Sequence, residues 1–376
     1  MRHVPGVLAA LVVMVAGFWL ADQLGGAILA SQGLTGSSPV SGVPVAIVLG
    51  LLLRNLLTLP ASLGPGLKFA TTTILRVGIV LVGIRLSLAD VWTLGVAGIP
   101  VVVAAIATGL VFVTWFNRWM GLPPRLGTLV AAGTSICGVT AIVSTAPAID
   151  ADEREVAYAV ANVVAFGLFG MLAYPYLAHA LLPNSASIGL FLGTAVHDTS
   201  QVVGAALTYQ QIYADDVVLR AATVTKLTRN IFLAAVIPVL TWLHARERAA
   251  GGGGGAAPAP GGGGAGAWTR YVPGFVLGFL GMAVVRTLGD WTLGSGGAAF
   301  GLLDDAAWRA LTRSVGDFWA SQVFLGTAMA AVGLSTGFSV FRGVGLKPFA
   351  VGLAGALAVG TVGFVMAYLL GPFVQL

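Results

Sequence analysis

Charge is what this sequence has least of. Only 9% of its 376 residues are Asp, Glu, Lys or Arg, against 57% apolar, too few polar groups to clothe a water-soluble globule. Lipid must cover most of the surface. The net charge of +5 forms no clustered basic face, which excludes nucleic acid as a partner. Cysteine is nearly absent: Cys137 stands alone, so neither an intramolecular disulfide nor a cysteine-based metal module is available. GxSxG, HExxH and Walker sequences are missing, and the glycine-rich tract lacks a phosphate-loop lysine, so neither an enzyme nor a cofactor is expected. Bulky Phe18-Trp19-Leu20 stands where small residues would precede signal cleavage, which makes the first apolar run a retained span.

What is present in quantity is apolar sequence in lengths that cross a bilayer. Segments near 5–21, 43–63, 69–88, 94–116, 126–148, 156–181, 187–209, 217–243, 272–289, 317–337 and 348–371 each approach the roughly 20 residues a span needs. The 53 glycines and 17 prolines do not contradict this, because membrane helices carry both readily. The expected class is therefore all-α, a polytopic bundle of about eleven spans in a bacterial inner membrane. A cytoplasmic N-terminus puts Arg2, Arg54, Lys68, Arg118, Arg125, Arg246, Arg248, Arg270, Arg342 and Lys347 inside, and only Arg85, Arg154, Arg309 and Arg313 outside, as the positive-inside rule requires. Residues 1–248 carry spans one to eight. Residues 249–267 form a Gly-rich cytoplasmic linker, and 268–376 carry three more spans of the same folded unit.

Two internal similarities hint at duplication. Val82-Gly83-Ile84 matches Val332-Gly333-Leu334 at an offset of 250, and Gly133-Thr134 matches Gly193-Thr194 at an offset of 60. The second pair lies in the two least lipid-like spans. Gly133–Asp150 gathers Thr134, Ser135, Cys137, Gly138, Thr140, Ser144 and Thr145, and its glycines permit unwinding where freed backbone lines a cavity. Broken helices offer amide groups and a positive dipole end to an anion, while close packing of small residues is the bland alternative. Gly193–Ala206 holds His197-Asp198 and Ser200-Gln201 in an apolar setting; ionisable groups at such depth are usually functional, and His197 is suited to proton coupling. In the next span Lys226, Arg229 and Asn230 share one helical neighbourhood and either balance an anion's charge or snorkel to the interface. Arg76 and Arg286 are weaker candidates of the same kind, and Arg85 marks a helix end.

The strings ICGVTAIVSTAP, HDTSQVVGAA and VTKLTRN together resemble the YeiH-like family of conserved bacterial membrane proteins, labelled sulfate exporters, over most of the chain outside the Gly-rich tract. That family usually has Glu where this chain has Asp198. The resemblance implies a bile-acid-symporter-like panel-and-core fold with inverted repeats and two discontinuous crossing helices.

The expected function is a secondary transporter of a small inorganic oxyanion, sulfite- or sulfate-like and proton-coupled, with alternating access around a midplane site. Thr134, Ser135, Cys137, Gly138, Thr140, Ser200, Gln201 and Asn230 would contact the anion, Lys226 or Arg229 would balance its charge, and His197 with Asp198 would handle protons. Replacing Lys226 by Ala is expected to abolish flux with expression intact. The rival readings are a sodium-coupled organic-anion carrier and a non-transporting sensor or scaffold. Partners are the anion and the bilayer, with a homodimer left open.

Overall fold

The computed structural model describes residues 2–31, 40, 42–233, 235–237, 239–240, 274–338 and 345–374. The Gly-rich linker, 249–267, lies outside the described residues.

Apolar runs become helices wherever the chain is free of prolines that open a turn. α1 covers Val4–Ser31 and α2 Gly42–Leu56. Pro60, in an extended conformation (φ −57°, ψ 138°), separates α2 from α3, Ala61–Arg85, so one helix stops earlier and the next starts earlier than hydropathy alone predicts. α4, Leu88–Trp119, opens on a capping box between Ser87 and Asp90, and α7, Glu153–Leu181, on one between Asp152 and Glu155. Between these lie α5, Pro124–Ser135, and α6, Val139–Ile149. After α7 come α8, Ser185–Ala195, α9, Thr199–Tyr213, and α10, Asp216–Ile231. α11 spans Gly274–Gly296, α12 Asp305–Ser335 and α13 Leu346–Leu370. Seven of these helices are long and apolar enough to cross a membrane. Among the described residues there is no β-strand beyond one isolated bridge, Ala299 to Leu303. The protein is all-α and polytopic.

Packing sorts the helices into two groups. α1, α2, α3, α11 and α12 pack on one another, and α4 to α10 with α13 form the second group, joined to the first chiefly through α9 and α11. α3 and α12 lie side by side in opposite directions, since Gly78 faces Leu325 while Arg85 reaches Asp317. Each carries a π-helical stretch, Ala70–Ile74 in α3 and Ser314–Leu325 in α12, and at the offset of 250 the first falls within the second.

Both spans singled out for their small polar residues are discontinuous, as expected. They do not cross, however. Arg125, at the start of α5, donates to the Asp150 carbonyl just beyond α6 at 2.8 Å, and Gly133 abuts Ile142, so α5 and α6 fold back as a hairpin. The Ser185 hydroxyl at the start of α8 donates to Asp215 beyond α9 at 2.5 Å, closing a second hairpin at the other end of α7. The expectation of two crossing broken helices is therefore corrected to two re-entrant hairpins that approach from opposite ends. A polar break in an apolar run reports that the helix stops, not which way the chain then turns. The loop around Arg154 consequently joins the end that carries Arg125, which corrects the expected placement of Arg154 on the outer side.

Candidate functional site

The two hairpin tips meet. α5 ends at Ser135 and the chain turns through Ile136, Cys137 and Gly138, whose φ of +68° is open to glycine and strained for other residues. A Cβ on Gly138 would stand 3.1 Å from the Cα of Asp198, at the tip of the other hairpin, so glycine is also needed for the close approach. That second tip, Val196-His197-Asp198, is extended. Asp198 caps α9: its Oδ1 accepts from the Ser200 amide at 2.9 Å and hydroxyl at 2.6 Å, while Gln201 Oε1 accepts from the Asp198 amide at 3.2 Å.

Each tip exposes two helix ends of opposite character. The first arms, α5 and α8, terminate there with unsatisfied carbonyls and partial negative charge; the second arms, α6 and α9, begin there with unsatisfied amides and partial positive charge. α10 deals with the carbonyls. Lys226 Nζ, fully buried, donates to Ile136 O at 2.9 Å, to Val196 O at 3.5 Å and to His197 O. Arg229, also fully buried, donates from Nε to Ser135 O at 2.6 Å, from Nη1 to Thr194 O at 2.6 Å and Val196 O at 3.3 Å, and from Nη2 to Thr134 O. Both cations are thus spent on the carboxyl ends of the two first arms, which pins the tips together. α10 comes close enough because α8 meets it through glycine: a Cβ at Gly193 would press on Thr225 and the Ala222 carbonyl.

The positive ends of the second arms face a cavity of about 520 Å³ between the two helix groups. From the hairpin group come Cys137, Val139, Thr140, Asp198, Thr199, Ser200, Gln201 and Asn230, and from the other group Thr71, Thr72, Arg76, Phe275, Ser335 and Thr336. Among the described residues, Arg76 is the only cation in this wall. Its guanidinium lies 5.9 Å from the centre of the Phe275 ring and, among the described residues, forms no ion pair. The Thr140 and Ser335 hydroxyls make no hydrogen bond to described residues, whereas those of Thr71, Thr72 and Thr336 are donated to helix carbonyls. Asn230 Nδ2 reaches Thr199 Oγ1 at 3.4 Å and its Oδ1 is buried without a partner.

Of the residues selected from sequence, Cys137, Thr140, Asp198, Ser200, Gln201 and Asn230 share the cavity wall. Thr134, Ser135, Gly138, His197, Lys226 and Arg229 lie behind it, in the scaffold of the tips. His197 is buried with Nδ1 unpartnered, beside the Thr134 backbone. Thr71, Thr72, Thr199, Ser335 and Thr336 were not selected; threonines and serines at single helical positions carry no signal until the fold brings five of them to one wall. Among the described residues no cluster of His, Cys, Asp and Glu could hold a metal ion.

Comparison with known proteins places this architecture in a family. Residues 5–352 match the sequence profile of the family described as conserved hypothetical protein 698. A UPF0324 membrane protein of Streptococcus pneumoniae is 34% identical over 244 residues, covering 65% of this chain and 68% of the relative. Another from Fusobacterium nucleatum is 28% identical over 339 residues, 89% and 91% of the two chains, and one from Streptococcus pyogenes is 29% identical over 372 residues, 99% and 98%. No solved structure matches the chain. With the match running over nearly the whole sequence, the chain belongs to the conserved hypothetical protein 698 family, the YeiH-like UPF0324 membrane proteins.

Proposed function

We propose that the protein is a secondary transporter of a small inorganic oxyanion, bound in the cavity between the two helix groups. One observation carries the reading. Lys226 and Arg229 occupy the carbonyl ends at both hairpin tips, leaving the cavity with the amide end of α6, the hydroxyls of Thr140 and Ser335 and the guanidinium of Arg76, which has no ion pair among the described residues. Such donors suit an oxyanion such as sulfite or sulfate. A divalent ion stripped of water needs several such donors at once, and this wall supplies them.

The cavity borders a second one lined by Arg54 and Lys68, the two sharing Thr71 and Ser335, so an entry path runs toward that end. With the N-terminus cytoplasmic, this is the inward-open state of an alternating-access cycle in an inner membrane. Asp198, the one carboxylate in the wall among the described residues, is the group through which a proton would be coupled.

The test is sulfite and sulfate flux into proteoliposomes. Arg76→Gln is expected to lower flux at least about tenfold, the loss of one charge-assisted contact, with the melting temperature unchanged. Wild-type flux in Arg76→Gln would remove the cavity from the pathway. The same Asp198 with Gln201 favours one second reading, a sodium-coupled organic-anion carrier, in which the carboxylate holds the cation. Flux that requires sodium selects it.

A further inference from the structure

Scarce charge is concentrated at a place the cavity does not use. Five of the chain's nineteen Lys and Arg residues, Arg85, Arg220, Arg286, Arg309 and Arg313, line one pocket of about 300 Å³. They come from the end of α3, from α10, from α11 and from α12, and α3 runs from the Lys68 end to this one. The pocket therefore lies across the bundle from the entry near Lys68, about 13 Å beyond Arg76 along the helix.

The acids nearby neutralise it only in part. Asp216 and Asp317 are the carboxylates in the wall, and both are engaged by Arg85, at 3.2 Å for Asp216 and in direct contact for Asp317. Gln210 takes a further share of Asp216. Arg286 and Arg309 are paired along their own helices with Asp290 at 2.6 Å and Asp305 at 2.7 Å. Arg220 donates only to backbone carbonyls, Asp216 O at 3.4 Å and Arg85 O at 3.3 Å, and Arg313 has no ion pair among the described residues. Arg85 itself is 7% exposed, and its Nε is buried without a partner. Five guanidinium groups against four carboxylates leave one positive charge over, and the planar forks of Arg220 and Arg313 match the oxygen pairs of tetrahedral oxyanions.

We infer that this vestibule is a second anion site, taking a tetrahedral oxyanion between Arg220, Arg313 and Arg85. Such an ion comes either free from solution or as the phosphate of a lipid headgroup. The inference rests on the proposed function only for the choice of sulfate as probe.

The test uses the full chain in phosphatidylcholine nanodiscs titrated with sulfate by calorimetry, comparing wild type, Arg76→Gln, and Arg220→Gln with Arg313→Gln. Arg76→Gln should retain the vestibule site, and adding the paired change should weaken the remaining binding about tenfold or more. Sulfate binding lost in Arg76→Gln alone, with no bound phosphatidylglycerol by native mass spectrometry, overturns the vestibule and leaves the cavity standing. Binding unaffected by Arg76→Gln but lost in the paired variant supports the vestibule and removes the cavity as the sulfate site. Phosphatidylglycerol retained one-to-one and released by the paired change assigns the site to a headgroup, whereas sulfate binding undisturbed by that lipid assigns it to the solution ion. Binding that persists unchanged with both substitution sets combined overturns the proposal. If Arg220→Gln lowers the melting temperature, Arg313→Gln alone carries the test, because Arg313 is exposed.

Discussion

At the scale of single residues, buried cations hold this molecule together instead of serving its cavity. Lys226 supplies the donor for the carbonyls of Ile136, Val196 and His197 in a buried setting. Hydrogen bonds to a charged donor contribute about 1.5–3 kcal/mol each, so Lys226→Ala should destabilise the fold by about 3 kcal/mol or more. Thermal melts and size-exclusion profiles in detergent measure it, and a variant that melts like the wild type would contradict this assignment. The sequence alone suggested loss of flux with expression intact; geometry predicts that expression falls as well. Which residues were special was legible, because Lys and Arg inside an apolar span are costly to bury. What they point at was not, since one-turn spacing places them on a helix face without saying what opposes it.

Among the elements, the hairpin tips carry the proposed site. Asp198 and Gln201 form a capping box, and Asn caps a helix as well as Asp does. Asp198→Asn is therefore expected to leave the melting temperature within the equivalent of about 0.5 kcal/mol, while the dependence of flux on a pH gradient disappears. Persistent proton coupling in that variant would move the coupling group elsewhere. Gly138→Ala faces both a φ of +68° and a Cβ 3.1 Å from Asp198, which should destabilise the tip by about 1–3 kcal/mol and abolish flux, as melts and proteoliposome assays would report. The breaks were readable in advance from glycines amid hydroxyls in GTSICG and GTAVHD. Their hairpin geometry was not, because a folded-back pair of short helices and one long span contain the same number of apolar residues.

For the whole molecule, the two ends differ. The cavity continues toward Arg54 and Lys68, while at the other end Arg85 ties α3 to α10 through Asp216 and to α12 through Asp317, the Gly316 carbonyl at 2.9 Å and Ser321 at 3.1 Å. Cys137, the only cysteine, lines the cavity and serves as a native reporter. A membrane-impermeant methanethiosulfonate should modify it faster from the Lys68 side in oriented vesicles, and sulfate should protect it. Asp317→Asn, by releasing one arm of the Arg85 clamp, should raise modification from the opposite side; equal rates from both sides in the wild type would refute the one-sided opening. The sequence by itself determined the solvent of this protein, its helical class, its charge asymmetry and the two places where helices break, because each follows from local composition against the energetics of lipid. Only the tertiary structure decided that the broken segments are opposed hairpins, that Lys226 and Arg229 face carbonyls, and that Arg76 faces the cavity. Those are questions of direction in space between residues far apart in the chain, which no local pattern of hydropathy encodes.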